Sequence, residues 1–515
     1  MVCQPRTSAG RYRRGMERVD VVVVGGGHNG LVAAAYLARA GRDVLVLERL
    51  PRMGGAAVSE RVFAGVDARL SRYSYLVSLL PDRIRRDLGV DVPLVRRRYA
   101  SYTPLPGTEA GLLVDAEDPT ATRASFARIG AADDAVAFAR WQQDLGALSA
   151  AVWPTLTEPL PSREALRARV GDRLWAEFFE RPIGESLRAR FRSDLVRGVL
   201  ATDGLIGTFA SLDDASLAQN VCLLYHVIGG GTGDWDVPVH GMGAVTDALA
   251  AAALAAGATI RTGAEVLAID PDGTVTGADF AVRAEQVLVN VAPAELARLL
   301  SEPAEAPEGA QIKVNMLLRR LPRLRDATVP VEAAFGGTFH VHEALSELEA
   351  AHAAAIAGRL PDPVPVELYC HSLADRSILG AQLDASGAQT LTAFALQVPH
   401  RLGVDRAAAQ AAVLASLDGV LAEPIEPLLV IGADGRACIE TRTTADLEAE
   451  LRLPGGNIFH GPLAFPFRSD SGAEGDWGVR TAHDRILLCG SGSTRGGGVS
   501  GLGGYAAAQA VLAAG

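Results

Sequence analysis

The chain has 515 residues, 49% of them apolar and 21% charged, with a formal net charge of −11 at neutral pH. That length allows about two to four domains with a large core, and the acidic balance, with no aromatic-basic patch, argues against a nucleic-acid partner. Five scattered cysteines (Cys3, Cys222, Cys370, Cys438, Cys489) form no C-x-x-C pair and no metal-ligand spacing, which fits reduced thiols in a cytoplasmic protein.

The first 18 residues carry Arg6, Arg11, Arg13, Arg14 and Arg18 without an apolar core, so they are not a secretory signal. Residues 1–17 read as a disordered arm, or as an overextended start with Met16 the initiator. Val19 to Val24 is a β-branched run, the pattern of a fully buried strand. It breaks at Gly25, Gly26 and Gly27, and Gly30 completes G-x-G-x-x-G. Asn29 to Ala40 is helical in spacing, Gly41 ends it, and Val44 to Leu47 is a second strand closed by Glu48. Strand, glycine turn, helix, strand and acid together describe a dinucleotide site. The turn at Gly25, Gly27, His28, Asn29 and Gly30 admits a pyrophosphate at the helix N-terminus, and Glu48 accepts a ribose hydroxyl.

After Glu48 come Arg49 and, six and seven positions on, Gly54 and Gly55, then Ala56. This E-R-x-x-R-x-G-G string resembles the signature of the amine oxidase and phytoene desaturase flavoproteins. Together with GGGHNGLVAAAYLARAG, it is most similar to the phytoene-desaturase-like group that includes pyridine nucleotide-disulfide oxidoreductase domain-containing protein 2. The resemblance implies an α/β fold with a Rossmann-type, glutathione-reductase-like FAD-binding domain. It also implies a substrate domain of mixed β-sheet with a helical cap, and FAD as the non-covalent cofactor.

Further along, Arg72, Tyr73, Ser74 and Tyr75 are candidates to line the active site. From Pro81 to about Gly207, apolar residues recur at helical spacing, so the cap is placed at 81–234. Its arginines read as a solvated face, with a peripheral membrane contact as the lesser reading; no stretch is long and apolar enough to span a bilayer. Trp235 to Gly243, W-D-V-P-V-H-G-M-G, resembles an element that returns the chain to the FAD domain, with His240 where glycine is usual. Val266 to Ile269 reads as the strand that passes the adenine, with the Val266 backbone touching it. The last thirty residues repeat strand, glycine loop and helix, and the resemblance gives Gly490 and Ser491 to the ribityl and pyrophosphate, and Val499 and Ser500 to the flavin edge. The FAD domain is thus discontinuous, 18–80, 235–300 and 470–515, and a sheet substrate domain occupies 301–469. Arg495 departs from the group by putting a charge into the last loop, and Cys489 falls on a strand rather than where a covalent flavin bond would form.

Lys313 is the only lysine among 49 basic residues. Its setting, I-K-V-N-M-L, is similar to the strand that carries the flavin-facing lysine of amine oxidases. Burial there would lower its pKa and suit it to proton exchange. Tyr73, His340 and His371 are the other catalytic candidates. His340 and His342 alternate, which places both on one face of a strand, with no third ligand for a metal. The expected function is hydride removal by an FAD-dependent oxidoreductase from a small lipophilic or amphipathic substrate, giving C=C or C=N. Amine or amino acid oxidation, redox-neutral flavin isomerisation and a non-catalytic flavin-stabilised interaction protein are the alternatives.

Overall fold

The computed structural model describes residues 16–469 and 472–514. Residues 1–15 of the proposed arm, with Cys3, lie outside the described residues. Glu17, within the arm expected at 1–17, already starts the first strand, Glu17–Val24.

That strand is central in a seven-stranded sheet. It runs parallel to Val44–Leu47 on one side and to Ala281–Val289 on the other. Ile486–Leu488 adds a further parallel strand beyond Val287–Val289. Thr259–Arg261 extends the opposite edge, and Val266–Ile269 with Thr274–Gly277 forms an antiparallel hairpin continuing from Ala281–Val289. The apolar runs are buried on both faces because alternate residues enter different cores. Val21, Val23, Val44 and Val46 pack beneath the helices His28–Arg39, Met242–Ala255 and Leu502–Ala514. Val22, Val24, Leu45 and Leu47 meet Val266, Val275 and Leu296 on the other side. This is how a parallel sheet reads as continuous hydrophobic sequence.

The second sheet also has seven strands, ordered Ile439–Arg442, Ile312–Leu318, Gln389–Ala395, Val366–Tyr369, Thr338–Val341, Tyr99–Pro104, Gly111–Asp115. All its neighbours are antiparallel except Thr338–Val341 with Tyr99–Pro104. Tyr99–Pro104 and Gly111–Asp115 correct the reading of 81–207 as helical throughout. The largely polar Tyr99–Pro104 shows no clean alternation and pairs with Thr338–Val341 more than 200 residues away, and the short Gly111–Asp115 folds back on it as an antiparallel hairpin. The remainder of that segment is helical from Pro119–Arg128 to Ala218–Val227, around a core that includes Trp141, Trp175, Phe178 and Phe191.

The histidine pair is also corrected. Thr338–Val341 ends before His342, which turns to a φ of 54°. His342 then binds Glu347 at 2.9 Å, whereas His340 points into the fold against Glu343. Among the described residues, no helix is long and apolar enough to cross a membrane.

Candidate FAD and substrate site

The glycine turn is shaped by close approach. A Cβ on Gly30 would sit 2.3 Å from the Gly25 carbonyl oxygen, so no larger residue fits there without displacing the turn. The second glycine pair lies against the first: Gly54 donates its N–H to the Gly26 carbonyl at 2.9 Å. Glu48, at the end of the second strand, accepts the N–H of Gly26 at 2.8 Å and that of Leu50 at 2.7 Å. A carboxylate has about four acceptor positions, so two remain for a ribose.

A groove runs from this point, walled by Gly25, Gly27, His28, Glu48, Arg49, Gly55, Ala56, Val266 and Ser491. Asn29, Gly30, Gly54, Gly490 and Ser500 support it from behind rather than lining it. Ser500 is fully buried and its hydroxyl accepts the N–H of Leu502, the first residue of the last helix. Asn290 also lines the groove and was missed in the sequence. Its side chain donates to the Gly25 carbonyl at 3.0 Å, and its Oδ1 lies where a Cβ on Gly490 would come within 3.0 Å. It therefore ties both glycine loops to one strand end. Only its place one residue past the buried run Val287–Val289 pointed to it.

Buried polar atoms without partners cluster here. They are His28 Nε2, both side-chain polar atoms of Asn29, and His460 Nδ1. Burial holds both imidazoles neutral, each lowered to about 4. Unpaired buried polar groups are costly, and the diphosphate and ribityl oxygens of a dinucleotide supply acceptors and donors to His28 and His460, which line the groove. With the glycine close approaches and the free positions on Glu48, these residues fit FAD. Cys489 packs into the core, where burial pushes its thiol up.

The groove continues into a second cavity. Ala56 and Leu453 line both. Beyond them, Gly498 and Val499 face Tyr73, Ser74, Tyr75 and Lys313. Lys313 is carried by the strand Ile312–Leu318, and its Nζ donates to the carbonyls of Ser71, at 2.9 Å, and Tyr73. It also sits 4.7 Å from the centre of the Tyr75 ring. Burial drives its pKa well below the ordinary 10.5, so the amine is held toward its neutral form.

The other candidates divide. Tyr73 lines the cavity, but its hydroxyl donates to Glu450 at 2.6 Å. Arg72 turns outward to Glu60 and Glu440. His371 lies behind Tyr75, 5.7 Å between ring centroids, and burial lowers it to about 3. His340 opens onto an adjoining cavity instead. The sequence showed no third ligand beside it, yet the fold brings Glu343 and Glu367 to within 4.8 Å. Burial raises Glu343 well above its usual range and Glu367 to about 8. The cluster is thus described by carboxyl groups that hold protons. His240 occupies an exposed turn at φ 69°, which explains why glycine suits that position. Arg495 is 1% exposed, its three guanidinium nitrogens have no hydrogen-bond partner among the described residues, it lies 5.9 Å from the centre of the Trp477 ring, and burial lowers it to about 10.

Sequence reasoning did not find Arg97, Asp203, Trp235, Tyr369, Phe394 or Arg442 as cavity walls. They come from six separate places in the chain and meet only in the folded molecule.

Residues 30–319 match the family model for flavin containing amine oxidoreductases. The chain is 55% identical to an uncharacterized protein of Mycobacterium tuberculosis, across 96% of this chain and 97% of that one. It is 30% identical to pyridine nucleotide-disulfide oxidoreductase domain-containing protein 2 of Mus musculus, across 98% and 95%. Among solved structures, a putrescine oxidase variant superimposes with a TM-score of 0.59 at 19% identity, across 97% of this chain and all of that one.

Proposed function

This chain belongs to the flavin containing amine oxidoreductase family and is an FAD-dependent oxidoreductase; from that premise we propose that it removes hydride from an amphipathic small molecule, leaving a C=C or C=N bond. One observation carries the choice of substrate. The cavity between Val499 and Lys313 is walled by Tyr75, Leu76, Ile206, Phe394, Leu447 and Ile458, and its surface is mostly apolar, with Arg97, Asp203, Lys313 and Arg442 as the charged exceptions.

FAD supplies the hydride acceptor when bound. The chain's own residues do the rest. Glu48 and the glycine loops hold the dinucleotide, and the apolar walls orient the substrate's C–H bond and exclude water. Lys313, held toward neutrality and aimed by the carbonyls of Ser71 and Tyr73, is placed to take or return one proton at Nζ. Formation of C=N has a specific observation in its favour, because a neutral amine at the cavity wall suits deprotonation of a substrate ammonium.

The test is anaerobic reduction of the purified yellow protein by matched panels of amines and unsaturated or saturated lipids. Bleaching by a member of either panel supports the proposal. A protein that carries no FAD, or whose flavin no member reduces, rejects it.

A further inference from the structure

The run Arg96-Arg97-Arg98 leads directly into the strand Tyr99–Pro104, and its three members have different fates. Arg96 is exposed and bound to Asp234 and Asp236. Arg98 is exposed and bound to Asp115 at 2.9 Å. Arg97 turns inward. Its Nε donates to the Trp235 carbonyl at 3.0 Å and its Nη1 reaches Thr338 Oγ1 at 3.4 Å. The guanidinium lies over the Tyr369 ring, 5.8 Å from its centre. Among the described residues no carboxylate forms an ion pair with it; Asp236 is held by Arg96 at 2.6 Å.

Arg97 also lines two cavities. One is the cavity of Lys313 and Val499, and the other reaches out towards Arg96, Gln142 and Asp234. Arg97, Asp203, His226, Trp235 and Thr338 are common to both, so they form the neck between them. The side chain is enclosed by protein yet keeps accessible surface, because that surface faces the cavities. Contrast Arg442, which lines the same inner cavity but is neutralised by Glu440 and Glu450. A buried cation left without a partner is costly, and a guanidinium presents its donors in a fork that suits a planar oxyanion.

We propose that Arg97 anchors the substrate, and that the substrate is a monocarboxylate: its carboxylate on Arg97 at the neck, its hydrocarbon body along Tyr75, Leu76, Ile206 and Phe394, and its reacting carbon at the Lys313 end. This rests on the reading of the inner cavity as the substrate site. Charge limits the head group. Asp203 shares the neck and opposes any anion there, a dianionic phosphate about twice as strongly as a carboxylate, so the head group favoured on Arg97 is the singly charged one.

The FAD-loaded protein is titrated with octanoate, octan-1-ol and octylamine, followed by calorimetry and by perturbation of the flavin absorption band. Octanoate is expected to bind at least tenfold more tightly than octanol. Arg97→Met lowers octanoate affinity tenfold or more, leaves octanol binding and FAD content unchanged, and Arg97→Lys restores part of the loss. The proposal is overturned if Arg97→Met binds octanoate as the parent does, if octylamine is preferred, or if none of the three binds. Should Arg97→Met fail to fold, the order of the three ligands on the parent protein and the Arg97→Lys affinity decide the matter. A protein that shows the octanoate preference but is never reduced by any substrate rejects the catalytic reading and leaves this one standing; a catalytically active protein with no preference does the reverse.

Discussion

At the scale of single residues, burial decides function. Lys313 is 5% exposed and its pKa lies below 10.5. On the alkaline side, up to 10.5, the unfolded chain therefore binds one more proton than the folded one, and stability rises with pH by at most about 1.4 kcal/mol per unit. Lys313→Met should remove that slope from the urea midpoint, keep bound FAD, and slow turnover or flavin reoxidation at least about tenfold; unchanged rates reject the proton role. Glu48→Ala should weaken FAD binding by about 1.5–3 kcal/mol, since the N–H groups of Gly26 and Leu50 lose a charged acceptor. A fluorescence titration of the cofactor-free protein checks it. The place of Glu48 against the glycine turn was legible because it follows from spacing. Arg97 was not, because it sits inside a run of arginines that reads as a solvated charged face, and only the strand's pairing shows which member turns inward. The buried, cavity-wall position of Lys313 was legible from its being the single lysine of the sequence and from the setting of its strand.

Among elements, the strands and helices that bind the dinucleotide could be read because their apolar runs are continuous and local. The second sheet could not be divided correctly. Tyr99–Pro104 is polar and pairs with Thr338–Val341 far along the chain, a contact no local pattern encodes. The same sheet carries a buried carboxyl on Val366–Tyr369: Glu367 accepts the Tyr369 hydroxyl at 2.5 Å and is raised to about 8. A raised carboxyl binds its proton in the folded state first. Stability is thus present below about 4.5 and is lost as pH climbs to about 8. Glu367→Gln should flatten that decline and leave the variant more stable than the parent at pH 9, by a few kcal/mol on the order set by the shift; thermal melts across pH measure it. The helix Leu502–Ala514 offers a packing test. A Cβ on Gly504 would come within 1.8 Å of the Asn29 carbonyl oxygen in the first helix. Gly504→Ala should destabilise by about 1–3 kcal/mol, seen in the urea midpoint, with weaker FAD retention, because overpacking displaces the helix beside the glycine turn.

For the whole molecule, the cofactor groove draws on the start, the middle and the last thirty residues of the chain, while the substrate cavity adds walls from the second sheet and the cap. FAD should therefore act as a brace. Binding to the folded state alone adds about 2.7 kcal/mol at a free concentration 100 times the dissociation constant. Melting temperature is expected to climb with the logarithm of FAD concentration, and the helix Leu502–Ala514 to become resistant to proteolysis together with the first helix. A melt indifferent to added FAD would contradict a groove shared between the two ends.

The strand Ile486–Leu488 completes the sheet against Val287–Val289, yet a ribosome makes it last. Some 460 residues separate the first glycine turn from the second glycine loop. At about 5–20 residues per second, roughly 25–90 seconds of translation pass between them. For the last part of that interval, the roughly 10–40 seconds between the synthesis of Val289 and that of Ile486, the nascent chain presents Val287–Val289 as an open, apolar edge, the kind of edge that recruits other strands. Cellular yield of this protein should accordingly respond to chaperone supply and to translation speed near its end more than to flavin availability at its beginning, because the cofactor has no complete site to enter until the final strand has left the ribosome.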